Sequence, residues 1–246
     1  MKARPTSGYK TMNSSIYLTV IMPALNEQEN VEAAMDSCLK SFARYNIEGE
    51  IIVVDDGSTD RTPEIVSFWM RKETRISLIT HSEVRGMGAS FWDGVMRARG
   101  QAVTMIPGDN ENEPAEIIKY IGLLQYVDMI IPFVCNKDVR SRTRNFLSRM
   151  YTSILNLTLG MSLHYFNGTV LYKKSALAGL NPWSRGFFFQ AEILAKAIKK
   201  GYLFAEVPYC LRKRRTRGDK SVSFSSFFDV GKCYFRLIRD IYKCGK

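Results

Sequence analysis

Carboxylates gather at two places in this 246-residue chain where an apolar run stops. Ile51-Ile-Val-Val-Asp-Asp-Gly-Ser-Thr-Asp60 carries consecutive aliphatics into Asp55 and Asp56. Such a run reads as a buried strand, and open α/β sheets bind ligands at the carboxyl ends of their strands. Gly57 permits a sharp exit, and Ser58 or Asp60 can cap the helix that follows. The second place is Met105-Ile-Pro-Gly-Asp-Asn-Glu-Asn-Glu-Pro114, also at a predicted strand end. In a doubly wound sheet it would bring Asp109, Glu111 and Glu113 beside the Asp55–Asp56 turn. A hard divalent cation prefers carboxylate oxygens and keeps positions open for phosphate, so these acids suit neutralisation of a leaving diphosphate. The plainer alternative makes Asp55 and Asp56 turn residues and the later acids an N-terminal cap for the Pro114 helix.

The elements around these acids alternate. Tyr17–Met22, Glu50–Val54, Ile76–Thr80, Ala102–Ile106 and Met129–Pro132 read as strands; Glu27–Ala43, Glu64–Arg71, Gly88–Arg97 and Pro114–Leu124 read as helices. This βαβ rhythm predicts an α/β fold, a mainly parallel sheet with helices on both faces. Gly86-Met-Gly88 opens the third helix, where backbone amides could meet a phosphate or could serve only as turn chemistry. After Pro132 a basic loop, residues 137–144, leads into an apolar helical stretch over 146–161. A strand near 167–172, a helix over 190–199 and a strand over 202–208 follow. The tail interleaves Phe224, Phe227, Phe228, Tyr234, Phe235, Ile238 and Tyr242 with Lys232, Arg236, Arg239 and Lys243. That pattern fits a basic interfacial helix or a stripe packed on the core or a partner.

Thirty-five Lys and Arg against 24 Asp and Glu leave a net charge of +11, which calls for an anionic partner such as a nucleotide or a phospholipid surface. No nucleic-acid motif accompanies it, and acids lining the pocket would repel phosphate without a metal, so nucleic acid is not expected. The five cysteines include no Cys-x-x-Cys pair, which indicates neither a disulfide framework nor a zinc site and fits a reducing, cytosolic setting. No stretch is apolar enough to span a bilayer, so membrane association is expected to be peripheral. The divisions expected are a flexible arm over 1–15, a catalytic-type domain over 16–221 and an amphipathic helix over 222–246. His81 and His164 have no metal-ligand spacing to another His or Cys.

Pro23-Ala-Leu-Asn-Glu27, Val54-Asp-Asp-Gly-Ser58, Arg85-Gly-Met-Gly88, Gly108-Asp109 and Gln190-Ala-Glu192, in this order, resemble the family 2 glycosyltransferases, nearest the dolichyl- or polyprenyl-phosphate mannose synthase branch. The likeness extends over about 16–221. It implies the GT-A fold, a nucleotide-diphospho-sugar donor such as GDP-mannose or a UDP-hexose, a divalent Mg2+ or Mn2+ ion, and inverting displacement at the anomeric carbon. By matched motif, Pro23, Ala24 and Glu27 would border the nucleotide, Asp55 and Asp56 would hold its base and ribose, and Asp109 would bind metal and diphosphate. The branch's Asp-Ala-Asp-x-Gln motif has Pro107 in place of its first Asp and Glu111 in place of Gln, so one metal ligand is lost and another gains charge. Arg215-Thr-Arg-Gly-Asp-Lys-Ser221 resembles the family's Arg-x-x-Gly-x-Ser-Lys with Ser and Lys exchanged, which makes Arg215 and Lys220 candidates for gripping phosphates. Arg144 and Ser148 stand at the family's acceptor-phosphate spacing. His164-Tyr-Phe-Asn-Gly168 departs from the branch's Asp-x-Thr-Ser-Gly.

The acceptor divides the chemistry. A lipid phosphate is already anionic and attacks without a base, whereas a sugar hydroxyl needs one. Glu192 is the base candidate for a hydroxyl acceptor, or else orients neighbouring cations. The expectation is hexosyl transfer to a polyprenyl phosphate at the cytosolic membrane face, with a membrane-embedded partner subunit or a homo-oligomer as further partners. Transfer to a saccharide hydroxyl and a catalytically silent scaffold are the alternatives.

Overall fold

The computed structural model describes residues 17–136, 142–180, 182–210 and 224–243, apart from the side chains of Arg144, residues 224–229 and Lys243. Among the described residues seven strands form one sheet: β1 (Leu18–Ala24), β2 (Gly49–Asp55), β3 (Ile76–Thr80), β4 (Ala102–Met105), β5 (Met129–Val134), β6 (Leu171–Lys173) and β7 (Phe204–Tyr209). Their order is β3-β2-β1-β4-β6-β5-β7, and only β6 runs antiparallel to its neighbours. The helices are α1 (Val31–Tyr45), α2 (Thr62–Met70), α3 (Met87–Arg97), α4 (Pro114–Ile118), α5 (Arg142–Leu159), α6 (Lys174–Leu177), α7 (Phe189–Lys199) and α8 (Phe224–Lys243).

Strands β1, β2 and β4 are buried along their whole length because both faces of the sheet are covered there, whereas β3 and β7 are partly exposed. Along β2 the pleat sends Ile51 and Val53 into a core shared with Val31, Met35 and Phe42 of α1 and Val66 of α2. Ile52 and Val54 face the other core, with Phe91 and Val95 of α3 and Ile193 and Leu194 of α7. Gly94 lets α3 lie on β1, since a Cβ there would come within 2.5 Å of the Ile21 side chain. From β1 the chain winds outward through β2 to β3, then returns across β1 to β4. The carboxyl ends of β1 and β4 therefore flank the crevice where an open α/β sheet takes its ligand.

Several elements differ from the sequence expectation; the strand expected near 167–172 is confined to Leu171–Lys173. The helix expected over Pro114–Leu124 breaks after Ile118 into a 3-10 turn, Ile121–Gln125, whose amides reach back three residues, as Leu123 does to the Tyr120 carbonyl at 2.9 Å. The first helix starts at Val31 and not at Glu27, because residues 26–28 are drawn into contacts with the 58–62 turn. The C-terminal stripe packs on the protein: Leu237 is fully buried, Val230, Tyr234, Ile238 and Ile241 lie against the α7-side core, and the Tyr242 hydroxyl donates to the Thr158 carbonyl at 2.6 Å. Phe235 and Tyr242 keep exposed rings. Among the described residues no helix is long and apolar enough to cross a membrane.

Candidate active site

The crevice is built from the carboxyl end of β1 outward. Beyond the regular ladders, the Ala24 carbonyl accepts the Asp56 amide at 2.9 Å on one side, and the Pro23 carbonyl accepts the Gly108 amide at 2.9 Å on the other. Pro23 and Ala24 thus separate the Asp55–Asp56 turn from the Asp109 turn, and the two acidic sites predicted to be neighbours flank one strand end.

The 25–28 loop is clipped to the turn after β2. Asn26 takes a left-handed φ of 56°, donates its amide to Ser58 Oγ at 2.9 Å and accepts the Thr59 amide at 2.9 Å. The Glu27 amide donates to Thr62 Oγ1 at 2.9 Å, while its carboxylate, largely buried, accepts from Asn30 at 2.8 Å. Asp60 caps α2 through the Thr62 amide at 2.9 Å and takes the Gln28 amide at 3.1 Å. Burial pushes the Asp60 carboxyl up, but the hydrogen bonds from Thr62 and Gln28 outweigh it and hold the group below the usual carboxylate range.

Asp55 and Asp56 have different tasks. Asp55 is 1% exposed and its Oδ1 has no hydrogen-bond partner among the described residues. A buried carboxylate oxygen without a donor costs about 1–3 kcal/mol or more, a cost that a ligand N–H or O–H at this strand end would remove. Asp56, expected with Asp55 at the base and ribose, has both oxygens committed within the protein. Its Oδ1 accepts the Arg85 amide at 2.8 Å and meets His81 Nδ1 at 2.7 Å, and its Oδ2 accepts the Gly86 amide at 2.8 Å. His81 continues through Nε2 to Asp93 at 2.9 Å, and Asp93 pairs with Arg85 at 2.7 Å. Each His81 ring nitrogen thus faces a carboxylate, and the chain from Asp56 through His81 and Asp93 to Arg85 is continuous. Asp56 therefore anchors the 85–88 turn.

That turn is also closed from its far side. Gly86 has φ +96° and Gly88 donates its amide to the Arg185 carbonyl at 2.7 Å; a Cβ at Gly88 would stand 2.5 Å from the Ser184 carbonyl oxygen. The Gly-x-Gly amides of Gly86 and Gly88, considered from sequence for a phosphate, are spent on Asp56 and on the 184–185 backbone. The glycines serve close packing.

Glu192, the candidate base, is fully buried on α7. Its carboxylate accepts the Ser184 amide at 2.9 Å and the Trp183 amide at 3.2 Å, and it is ion-paired with Lys196. It sits where a positioning group belongs, fixing the 183–184 segment that closes over Gly88. Asp109 Oδ1 accepts the Glu111 amide at 3.0 Å around Asn110, which has φ 54°. The Asp109 and Glu111 side chains are both half-buried on that turn. Across the crevice Tyr209 at the end of β7 donates to Asn112 Oδ1 at 3.0 Å; burial pushes this phenol up, so it stays a donor. Ser148 lies half-buried on α5, one turn after Arg144, whose side chain lies outside the described residues, as do Arg215 and Lys220 altogether. Among the described residues no group of three His, Cys, Asp or Glu converges as a metal site. A cavity of about 990 Å³ lies at the amino ends of β1 and β4, lined by Tyr17, Trp92, Gln101 and Lys174, at the opposite end of the sheet from these acids.

Sequence reasoning missed His81, which it gave no role, and Asp93. Nothing in their spacing of 12 residues marks them; the link appears only once β3 and α3 are placed.

Residues 19–180 match the model of the family described as glycosyl transferase family 2. Among curated proteins, the chain is 34% identical over 217 residues to dolichyl-phosphate beta-glucosyltransferase ALG5C of Trichomonas vaginalis, covering 79% of this chain and 64% of that protein. It is 26% identical over 256 residues to the dolichyl-phosphate beta-glucosyltransferase of Dictyostelium discoideum, covering 93% and 77%. A third relative, ALG5D of Trichomonas vaginalis, is 29% identical over 181 residues, covering 70% of this chain, which spans only about half (52%) of that protein's length. Among solved structures, glucosyl-3-phosphoglycerate synthase from Mycobacterium tuberculosis, in complex with UDP, superposes with a TM-score of 0.68 at 22% identity, covering 90% of this chain and 80% of that one. Mannosyl-3-phosphoglycerate synthase from Rubrobacter xylanophilus gives 0.73 at 17% identity, covering 94% and 76%. The fold is that of the GT-A glycosyltransferases, and the chain belongs to glycosyl transferase family 2.

Proposed function

We propose that this glycosyltransferase moves a glucosyl group from UDP-glucose to a polyprenyl or dolichyl phosphate, with inversion, at the cytosolic face of a membrane. The observation that carries the acceptor is Glu192. The residue expected from sequence as a base is enclosed, ion-paired with Lys196 and spent on two backbone amides. A phosphate oxygen is already anionic and attacks the anomeric carbon without proton removal, so a site lacking a free base at this position suits it. The names of the curated relatives support the lipid phosphate and the glucosyl group, and the UDP in the M. tuberculosis complex supports the base.

In this reading Asp55 Oδ1 accepts from the nucleoside at the crevice, with Pro23, Ala24 and Glu27 as its border. Asp56 acts indirectly: through Arg85, Gly86 and His81 it holds the turn that packs beneath the donor. Arg215 and Lys220 grip phosphates, and Arg144 with Ser148 receives the acceptor phosphate. The half-buried acids of the 109–111 turn offer hard oxygen ligands and fit Mg2+ or Mn2+, ions found in M. tuberculosis synthase complexes. Such an ion keeps most of its sites for water and diphosphate, so Asp109 with Glu111 suffices even with Pro107 in the motif. Bound there, it would supply positive charge against the leaving diphosphate.

Membrane contact is supported by α5. Phe146, Met150, Ile154 and Leu157 repeat along one helix face and are 62%, 44%, 47% and 85% exposed, with Arg142 and Arg149 also exposed. An apolar stripe bordered by cations lies flat in an anionic lipid interface. The test is a donor panel: UDP-glucose, other UDP-hexoses and GDP-mannose with Mg2+ or Mn2+ and a short polyprenyl phosphate in detergent. Glucosyl-lipid formed only from UDP-glucose supports the reading; GDP-mannose as the sole donor overturns the sugar assignment.

A further inference from the structure

We propose that Cys135 and Cys210 form a reversible dithiol–disulfide site on the rim of the sheet. The two lie 75 residues apart, yet their sulfurs are 2.9 Å from each other. Register explains the meeting. Strands β5 and β7 pair in parallel, with Val134 opposite Tyr209, so the next residue on each strand is a cysteine, and the Cys135 amide donates to the Tyr209 carbonyl at 3.0 Å. Neighbouring strands run about 4.8 Å apart, inside the Cα range of about 4.4–6.8 Å that a disulfide spans. Backbone movement is therefore not required to join the sulfurs.

Reactivity follows from exposure. Both residues are exposed, whereas Cys38 is buried and its thiol is pushed well up by burial. The two sulfurs are within hydrogen-bond reach, with either able to donate, and this contact leads the rise of the Cys210 thiol, which Lys119 only partly opposes. Attack and resolution are both available. One thiolate attacks a low-molecular-weight disulfide such as oxidised glutathione, forming a mixed disulfide and expelling one glutathione thiolate. The second protein thiolate then attacks the protein sulfur of that mixed disulfide and expels the other. One protein S–S bond forms, one small-molecule S–S bond breaks, and the two cysteine protons pass to the two released thiols.

The position ties this chemistry to the crevice. Strands β5 and β7 end on the same side of the sheet as β1, β2 and β4. Tyr209, beside Cys210, holds Asn112 of the acidic turn, and the Cys210 amide donates to Glu116 at 3.3 Å. A bridge would lock this corner, whatever acceptor the enzyme uses.

The experiment is thiol mapping of the full chain at pH 8, poised with reduced and oxidised glutathione, quenched with iodoacetamide and digested without reduction. The expected result is a peptide pair linked through Cys135 and Cys210, loss of alkylation at both together, and reversal by dithiothreitol. C135S should instead accumulate a stable glutathione adduct on Cys210. Stable adducts on either cysteine of the unaltered protein, a bridge to Cys38, Cys233 or Cys244 in place of this one, or persistence of both free thiols would overturn the proposal.

Discussion

Replacing Asp56 by Asn tests whether that carboxylate anchors the 85–88 turn or contacts ligand. In the protein its two oxygens serve the Arg85 and Gly86 amides and His81. Asparagine offers one acceptor oxygen, so at least one of these groups faces an N–H and loses its partner. An unsatisfied buried donor costs about 1–3 kcal/mol, and a hydrogen bond to a charged group is worth about 1.5–3 kcal/mol. Part of the network is open to solvent, with Arg85 and Asp93 about a third or more exposed, which discounts their share. We expect D56N to destabilise the nucleotide-free protein by about 2–4 kcal/mol, read as a lower urea midpoint at constant m. His81→Gln should give a smaller loss of the same kind. An unchanged midpoint together with lost UDP binding would refute the anchor and return Asp56 to the ligand.

Glu192→Gln keeps an acceptor for the Trp183 and Ser184 amides, so transfer to lipid phosphate should fall by less than about tenfold; a true base would cost about 10²–10⁴ in kcat. The Asp60 clip supplies a pH signature: its folded pKa is lowered, so its stabilisation is present above the ordinary Asp value of about 3.9 and lost as pH falls through the lower folded value. Asp60→Asn should therefore destabilise at neutral pH and converge with the parent in acid, measured by urea midpoints across pH. On α5, Leu157→Asp, at a site 85% exposed, should leave the unfolding midpoint within about 0.5 kcal/mol while weakening flotation with anionic vesicles; equal flotation would remove α5 from the membrane contact.

The parts of this fold that were legible in sequence are those governed by burial. Strands β1, β2 and β4 are covered on both faces and read as mainly apolar runs, unbroken over Ile51–Val54 in β2, so the acids that end β2 and follow β4 could be placed at one crevice from sequence. The antiparallel sense of β6 was not legible, because direction depends on the path of the chain between β5 and β6. Nor was the division of labour between Asp55 and Asp56. Adjacent identical residues look alike in sequence, and only the arrival of Arg85, Gly86 and His81 from 25–30 residues away distinguishes them. Gly86 and Gly88 were legible as special backbone, but their reason, contact with 184–185, depends on the position of α7. Cys135 and Cys210 become a pair only through the β5–β7 register.

In the proposed reaction the acceptor oxygen arrives already charged. The most direct measurement compares a short polyprenyl phosphate with the polyprenol of the same chain length, using UDP-glucose and Mn2+ in detergent, with Asp109→Asn as the inactive control. Glucosyl-lipid from the phosphate alone, abolished in D109N, is the predicted result. Comparable transfer to the uncharged alcohol would contradict it, because that reaction requires a base which Glu192, buried against Lys196, does not supply.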